Sequence, residues 1–265
     1  MSKEIAEKKA TDVVVHQGFE ELAGAGFSEV STEDLAIPFL RILAQLSPQV
    51  NKREGAYVEG AEAGMIFNTV LNDAYDGVTG IQVIPCHYNR RMVEWKQRDQ
   101  GGGYVDSYQP DDPYCKTATR DERGQDVLPN GNILTNTAQF FVLLLHPELG
   151  PQRALITMSS TQLKKSRKWL SQMQSLTAKG QNGVFVLPMM SQVYNLTTVA
   201  ESNDKGSWFG WEVSRERQLD LDNENDLFDM AVAFAQSVKA GDVKVKQEQD
   251  VESKANDLPD EGDFM

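Results

Sequence analysis

Cysteine and histidine are what this sequence has least of, with two and three in 265 residues, and each scarcity removes a class of answer. Cys86 and Cys115 are too few for a disulfide framework, so a reducing, cytoplasmic setting is the expectation. Cys86 and His87 are adjacent, and the gaps to Cys115 and His146 match no zinc-knuckle spacing. Strand alternation would also turn Cys86 and His87 to opposite faces, so no metal is expected. No histidine stands in a nucleophile motif. "DQGGGYV" has the glycines of a phosphate loop without its Lys-Ser/Thr or a following helix, and reads as a flexible hairpin tip. Asp111-Asp112 and Asp121-Glu122 lie in polar sequence, where solvated charge is a simpler account than metal-assisted hydrolysis. The expectation is a protein that is not an enzyme and has no cofactor. No run approaches the roughly 18 apolar residues of a membrane span, and "MSKEIAEKKATD" lacks an apolar signal core, so neither membrane nor secretion is expected.

Acid is also missing, but only locally. The net charge of −13 by itself argues against a nucleic-acid partner. Yet no Asp or Glu occurs between Glu148 and Glu201, a stretch that holds Arg153, Lys164, Lys165, Arg167, Lys168 and Lys179. Residues 1–40 carry three basic and eight acidic groups, and residues 41–200 carry sixteen and fourteen. Residues 201–246 carry six and ten, and residues 247–265 one and seven. The middle is the only positive section, so the chain is polarised.

Three parts follow from the pattern: an N-terminal arm over 1–30 with a short helix at most, one domain over 31–241, and a disordered acidic tail over 242–265. "STEDLAIPFLRILAQL" opens with a helix-start signal, Ser31 or Thr32 ahead of Glu33 and Asp34, which Pro38 weakens. "GMIFNTVL" and "GVTGIQVIPCHYNRRMVEWK" read as the strands of a hairpin whose tip is "NDAYDG". Residues 97–132 form a long polar insert with little strand or helix signal. "ILTNTAQFFVLLLH" predicts a strand buried on both faces, with "QRALITMSS" as its hairpin partner. "SSTQLKKSRKWLSQMQSL" predicts a helix with Leu163, Leu170, Met173 and Leu176 near one stripe. "GVFVLPMMSQVYNLTTVAE" and "SWFGWEVSRE" predict further strands, and "DNENDLFDMAVAFAQSVKAG" a second helix closed by Gly241. The sum is a mainly β, β-rich α+β fold: six or seven strands as an elaborated, partly open barrel of the oligonucleotide-binding (OB) type with flanking helices. A two-sheet sandwich suits the strand pattern nearly as well.

Single-stranded nucleic acid asks for cations along a groove and aromatic faces on which bases stack. "CHYNRRMVEWK" supplies both: alternation puts Tyr88 and Arg90 on one face, and Arg91, Val93 and Trp95 on the other. Tyr75, in the hairpin tip, is a large ring with few expected neighbours. Lys164, Lys165, Arg167 and Lys168 crowd the outer side of their helix with no acid in reach along the chain. Helix surfaces usually pair Glu with Lys, so an unrelieved cation cluster points to phosphate.

This basic, aromatic, β-rich middle with a detached acidic end, "DLPDEGDFM", resembles the single-stranded-DNA-binding proteins of bacteria and their phages. The blocks "AIPFLRILAQLSPQV", "EGAEAGMIFNTV" and "RRMVEWKQRDQGGG" are similar to those of short-tailed phages. The resemblance implies sequence-nonspecific binding of single-stranded DNA during phage replication and recombination, in the host cytoplasm. It also implies that the tail recruits replication, recombination or transcription proteins, host RNA polymerase included, through Asp257, Asp260, Glu261, Asp263 and Phe264. One departure is Met265, since the tail of that family typically ends on the aromatic itself. Two alternatives stand beside this reading: a strand-annealing recombination protein, and an acidic protein-interaction or transcription-regulatory factor. The acid-free run argues against a pure DNA mimic.

Overall fold

The computed structural model describes residues 17–30, 34–204, 206–243 and 245. The tail residues Asp257, Asp260, Glu261, Asp263 and Phe264, and the helix-start residues Ser31, Thr32 and Glu33, lie outside the described residues. The chain divides into two compact units, residues 1–35 and 36–265. In the first, a single helical turn, α1 (Gln17–Glu20), runs into successive turns closed by bonds such as Leu22 N to Phe19 O, 3.3 Å, and Ala25 N to Leu22 O, 2.9 Å.

The second unit opens with three short strands, β1 (Leu40–Ile42), β2 (Ile66–Asn68) and β3 (Asp73–Tyr75). There follow β4 (Ile81–Trp95), β5 (Tyr104–Tyr108), β6 (Thr119–Arg120), β7 (Asp126–Val127), β8 (Ile133–His146) and β9 (Gly150–Ser159). Helix α2 (Leu163–Ser175) leads into β10 (Thr177–Gly180) and β11 (Gly183–Val186). The long pair β12 (Gln192–Asn203) and β13 (Gly206–Gln218) precedes helix α3 (Asn225–Ala240). The main sheet is antiparallel in the order β13-β12-β4-β8, with β9 continuing it beyond β8. Three strands (β4, β8, β9), a helix (α2) and two strands (β12, β13), with β12 paired back onto β4, give the partly open OB-like barrel expected from the pattern. The sandwich is not what forms.

β4 and β8 bury both faces at the end where the helices lie. On one face Val83, Phe140, Val142, Leu144, Ile156 and Tyr194 pack under Trp169 and Met173 of α2. On the other, Ile84, Cys86, Phe141, Leu143 and Leu155 pack under Ala231, Phe234 and Val238 of α3. The open side is spanned by the β1–β3 sheet, which meets β9 through a parallel bridge between Phe39 and Leu155. At its other end Thr198 N donates to Gly77 O at 2.8 Å, and Thr198 Oγ1 bonds to Gly64 O. That closure requires glycine: a Cβ on Gly77 would stand 2.0 Å from Gly64 O, and one on Gly64, at φ +92, 2.7 Å from the Phe209 ring.

Four expectations change. Residues 40–42 are strand rather than helix, because Pro38 offers its carbonyl to Leu155 N (2.8 Å) while Phe39 and Leu40 enter opposite core clusters, which takes a period of two. "NDAYDG" is not one tip: Asp73–Tyr75 pairs back on β2, Asn68 Oδ1 holds the first turn through Val70 N and Leu71 N, and Asp76 holds the second through Val78 N and Thr79 N. The insert 97–132 supplies β5, β6 and β7, which extend the sheet along β4 and β8. Finally, a bulge between Pro85 and His87 breaks the alternation, so Cys86 and the His87 ring, 6.2 Å from Phe141, both belong to the α3 face.

Trp169 holds α2 to the barrel. Its ring stacks on Phe140 at 4.4 Å and 25° and stands edge-on to Tyr194 at 5.5 Å. The buried stripe is centred differently from the expected one: Trp169 and Ser166 are buried with Met173, whereas Leu163 and Leu170 flank them half-buried. Trp169→Ala should lower stability by about 3–5 kcal/mol, read as a fall in the urea midpoint; a loss below about 1 kcal/mol would show that α2 is held by something else.

Candidate nucleic-acid interface

The candidate residues of β4 divide as alternation requires. The pairing of Tyr88 with Phe140, Arg90 with Ala138, Arg91 with Thr137 and Trp95 with Ile133 puts Tyr88 and Arg90 on the α2 face, and Arg91 and Trp95 on the α3 face. Tyr88 is half-buried, its ring 5.1 Å from Phe140, which places it on the same aromatic cluster that carries Trp169. Arg90 is exposed and donates from Nε to Asn136 Oδ1 at 2.9 Å, which leaves its outer nitrogens for a ligand. Arg91 is half-buried, and Trp95, also half-buried, stands edge-on to Tyr104 of β5 at 6.0 Å.

Tyr75 is not the free ring expected. It is half-buried against the core, edge-on to His146 at 6.0 Å. Burial first, then the charge of Asp73, pushes its hydroxyl up to about 12. Asn68 offsets part of this from close by, without completing a well-formed hydrogen bond: neither the Tyr75 hydroxyl nor Asn68 Nδ2 has a partner among the described residues.

On α2, Lys164, Arg167 and Lys168 are exposed, as the cation cluster requires. Lys165 is different. Its Nζ forms an ion pair with Glu201 of β12, whose other oxygen accepts Trp208 Nε1 at 2.9 Å. Burial would raise the Glu201 pKa, but these donors hold it below the usual carboxylate range. The expectation that no acid reaches these cations therefore fails for Lys165, because the acid comes from another strand and not from the helix. Among the described residues no acid is paired with the other three, Lys164, Arg167 and Lys168. α3 carries Asp226 and Asp229, and Asp220, Asp222 and Glu224 precede it, but this side also holds Arg153 over the Phe234 ring and Arg217 paired with Glu224.

Residues 7–244 match the Pam3 phage gp34-like protein family. The chain belongs to that family. The match runs through α3 and stops before the acidic tail, so the folded part and not the tail carries the relationship. No curated protein and no solved structure matches the chain. Among the described residues of this phage-family protein, no helix is long and apolar enough to cross a membrane, and no three His, Cys, Asp or Glu side chains cluster to hold a metal. Burial pushes the Cys86 thiol up to about 12.

Sequence reading missed Glu94, a buried carboxylate at the far end of β4. It accepts Tyr108 OH at 2.6 Å, Asn130 Nδ2 at 2.7 Å and Asn132 Nδ2, so one side chain ties together β5, the 128–132 turn and β4. The turn residues of "LPNGN" were legible as a turn; that their amides converge on Glu94 was not. Burial alone would raise its pKa, but the Tyr108, Asn132 and Asn130 donors bring it below the ordinary value. A carboxylate with a depressed folded-state pKa contributes stability above its unfolded value, near about 4.3, and loses it as pH falls through the folded value. Hydrogen-exchange protection across residues 104–132 should therefore be full at neutral pH and fall in acid. In Glu94→Gln, which is neutral and has one acceptor oxygen where the carboxylate has two, it should already be reduced at pH 7. Equal protection in both proteins would remove Glu94 from this role.

Proposed function

We propose that this protein binds single-stranded DNA without sequence preference during phage DNA replication and recombination, and recruits partner proteins, host transcription machinery included, through its acidic tail. The observation that carries the reading is α2: three exposed cations, Lys164, Arg167 and Lys168, within a 149–200 segment that contains no acid, in a chain of net charge −13. Mutual repulsion among these cations is relieved when phosphates lie along them. Arg90 and Tyr88 share the α2 side of the sheet and add a guanidinium and a partly open ring. OB-type barrels commonly use the face of their second and third strands, here β8 and β9. In this chain α3 covers that face, which leaves a polyanion the opposite, α2 side.

The tail, residues 247–265 with one lysine and seven acids, competes for the same cations by charge alone. DNA displaces it, and Asp257, Asp260, Glu261, Asp263 and Phe264 then become available to a basic-rimmed apolar pocket on a partner.

Tryptophan-fluorescence titration with an oligothymidylate beside a duplex of equal length tests the binding. Quenching that favours the single strand and weakens with salt is expected; no response to the single strand at low salt would end the proposal. Replacing Lys164, Arg167 and Lys168 together by Gln should lower the slope of log affinity against log salt by about 2, at about 0.7 for each phosphate left without its cation. Lys165→Gln should change that slope least, its charge being already paired. Deleting residues 247–265 should tighten binding most at low salt, where screening is weakest. Equal affinities there would remove the tail from competition while leaving the groove intact.

A further inference from the structure

The β10–β11 ribbon leaves α2 directly: Ser175 ends the helix, Thr177 starts the strand, and Leu187 N bonds to Leu176 O at 2.8 Å to close its base. Among the described residues it pairs with no other strand, and its apolar residues stay in water, with Val184 74%, Phe185 48% and Val186 52% exposed. Exposed apolar clusters of this kind mark a contact surface. The register sorts the side chains. Phe185 stands across from Ala178, with the Gly180–Gly183 pair beside it, while Lys179 and Val184 occupy the opposite face.

The Cδ1–Cε1 edge of the Phe185 ring lies against Gly180. A Cβ built there would stand 3.1 Å from Phe185 Cε1 and 3.4 Å from Cδ1, and Gly180, unlike Gly183, has no positive φ to require glycine. The missing side chain lets the ring settle on the backbone. That edge of the ring is thus supported, and its neighbours on that face of the ribbon are Ala and Gly, too small to shield the rest of the ring. The ribbon also belongs to the acid-free 149–200 segment and carries Lys179. A half-exposed ring on a ribbon whose other face carries Lys179, with no carboxylate nearby in the chain, suits an unpaired base better than an acidic or a purely apolar partner.

From this geometry we propose that Phe185 is a base-stacking platform, and that the β10–β11 ribbon extends the strand-binding path beyond the cations of α2. The inference rests on the single-strand reading above and adds a residue, Phe185, that the sequence pattern did not single out. Because the stacking partner is the π-face of any base, this contact is sequence-tolerant and independent of salt, unlike those of Lys164, Arg167 and Lys168.

The test uses the full chain and anisotropy of a labelled oligothymidylate across a salt series, with Phe185→Ala, Phe185→Leu and Phe185→Trp. Ala and Leu should each weaken binding about tenfold at every salt concentration, with the salt slope unchanged. Trp should keep wild-type affinity and add an emission increment that DNA quenches. Wild-type affinity in Phe185→Ala overturns the proposal, as does rescue by Leu, which would mean that apolar bulk and not a ring is needed. Sedimentation velocity covers the remaining occupant: conversion of an oligomer to monomer by Phe185→Ala would make the ribbon a contact between copies and overturn the platform. If the wild-type chain itself fails to bind the oligonucleotide, the single-strand reading falls and this inference with it; if the wild type binds and only the Phe185 series is silent, this inference alone falls.

Discussion

The antiparallel pairing of β4 with β8, from Val83–Leu144 at one end to Trp95–Ile133 at the other, is the constraint on which the other elements depend. At its Val83 end both faces of the pair are apolar, so both must be covered. The α2 face receives Trp169, and the α3 face receives Phe234. Neither helix has a core of its own, and each exists as an amphipathic element because this pair offers it a surface. At the Trp95 end the pair outruns the helices, and polar chemistry takes over. The ribbon there is widened by β5, β6 and β7, and Glu94 gathers the amide and hydroxyl donors that hold the widened part in place.

Covering the two faces with two different helices also separates charge. α2 arrives with lysines and arginines and belongs to a segment without acids, whereas α3 and the turn before it bring aspartates and a glutamate. Burying one helix on each side of a single sheet places these segments apart in space as they are apart in sequence. The overall negative charge therefore says little about how charge is distributed between these segments. The Lys165–Glu201 pair marks where the two regimes meet, since β12 brings the first acid after the acid-free run against the helix.

Much of this architecture was legible as pattern. The unbroken apolar section of "ILTNTAQFFVLLLH" pointed to a strand covered on both sides, and the absence of Gly and Pro through "TQLKKSRKWLSQMQS" left a helix as its simplest form. Alternation correctly divided Tyr88 and Arg90 from Arg91 and Trp95, because no bulge on the β8 side intervenes after His87. Before that point the same rule failed at Cys86 and His87, since a bulge adds one residue and reverses the faces without leaving a mark in the sequence. Tyr75 was misplaced for a related reason: whether a turn is one wide loop or two tight ones is decided by side-chain bonds from Asn68 and Asp76, not by the count of turn formers.

The sequence by itself determined the class of the fold, its long strands and two main helices, and the polarisation of charge along the chain, because each of these is a property of neighbouring residues and their period. Only the tertiary structure decided which side chains meet. It paired Lys165 with Glu201, converged Tyr108, Asn130 and Asn132 on Glu94, half-buried Tyr75 and set the edge of Phe185 against Gly180. Each of these depends on strand register and on contact between distant segments, and no local period encodes either of them.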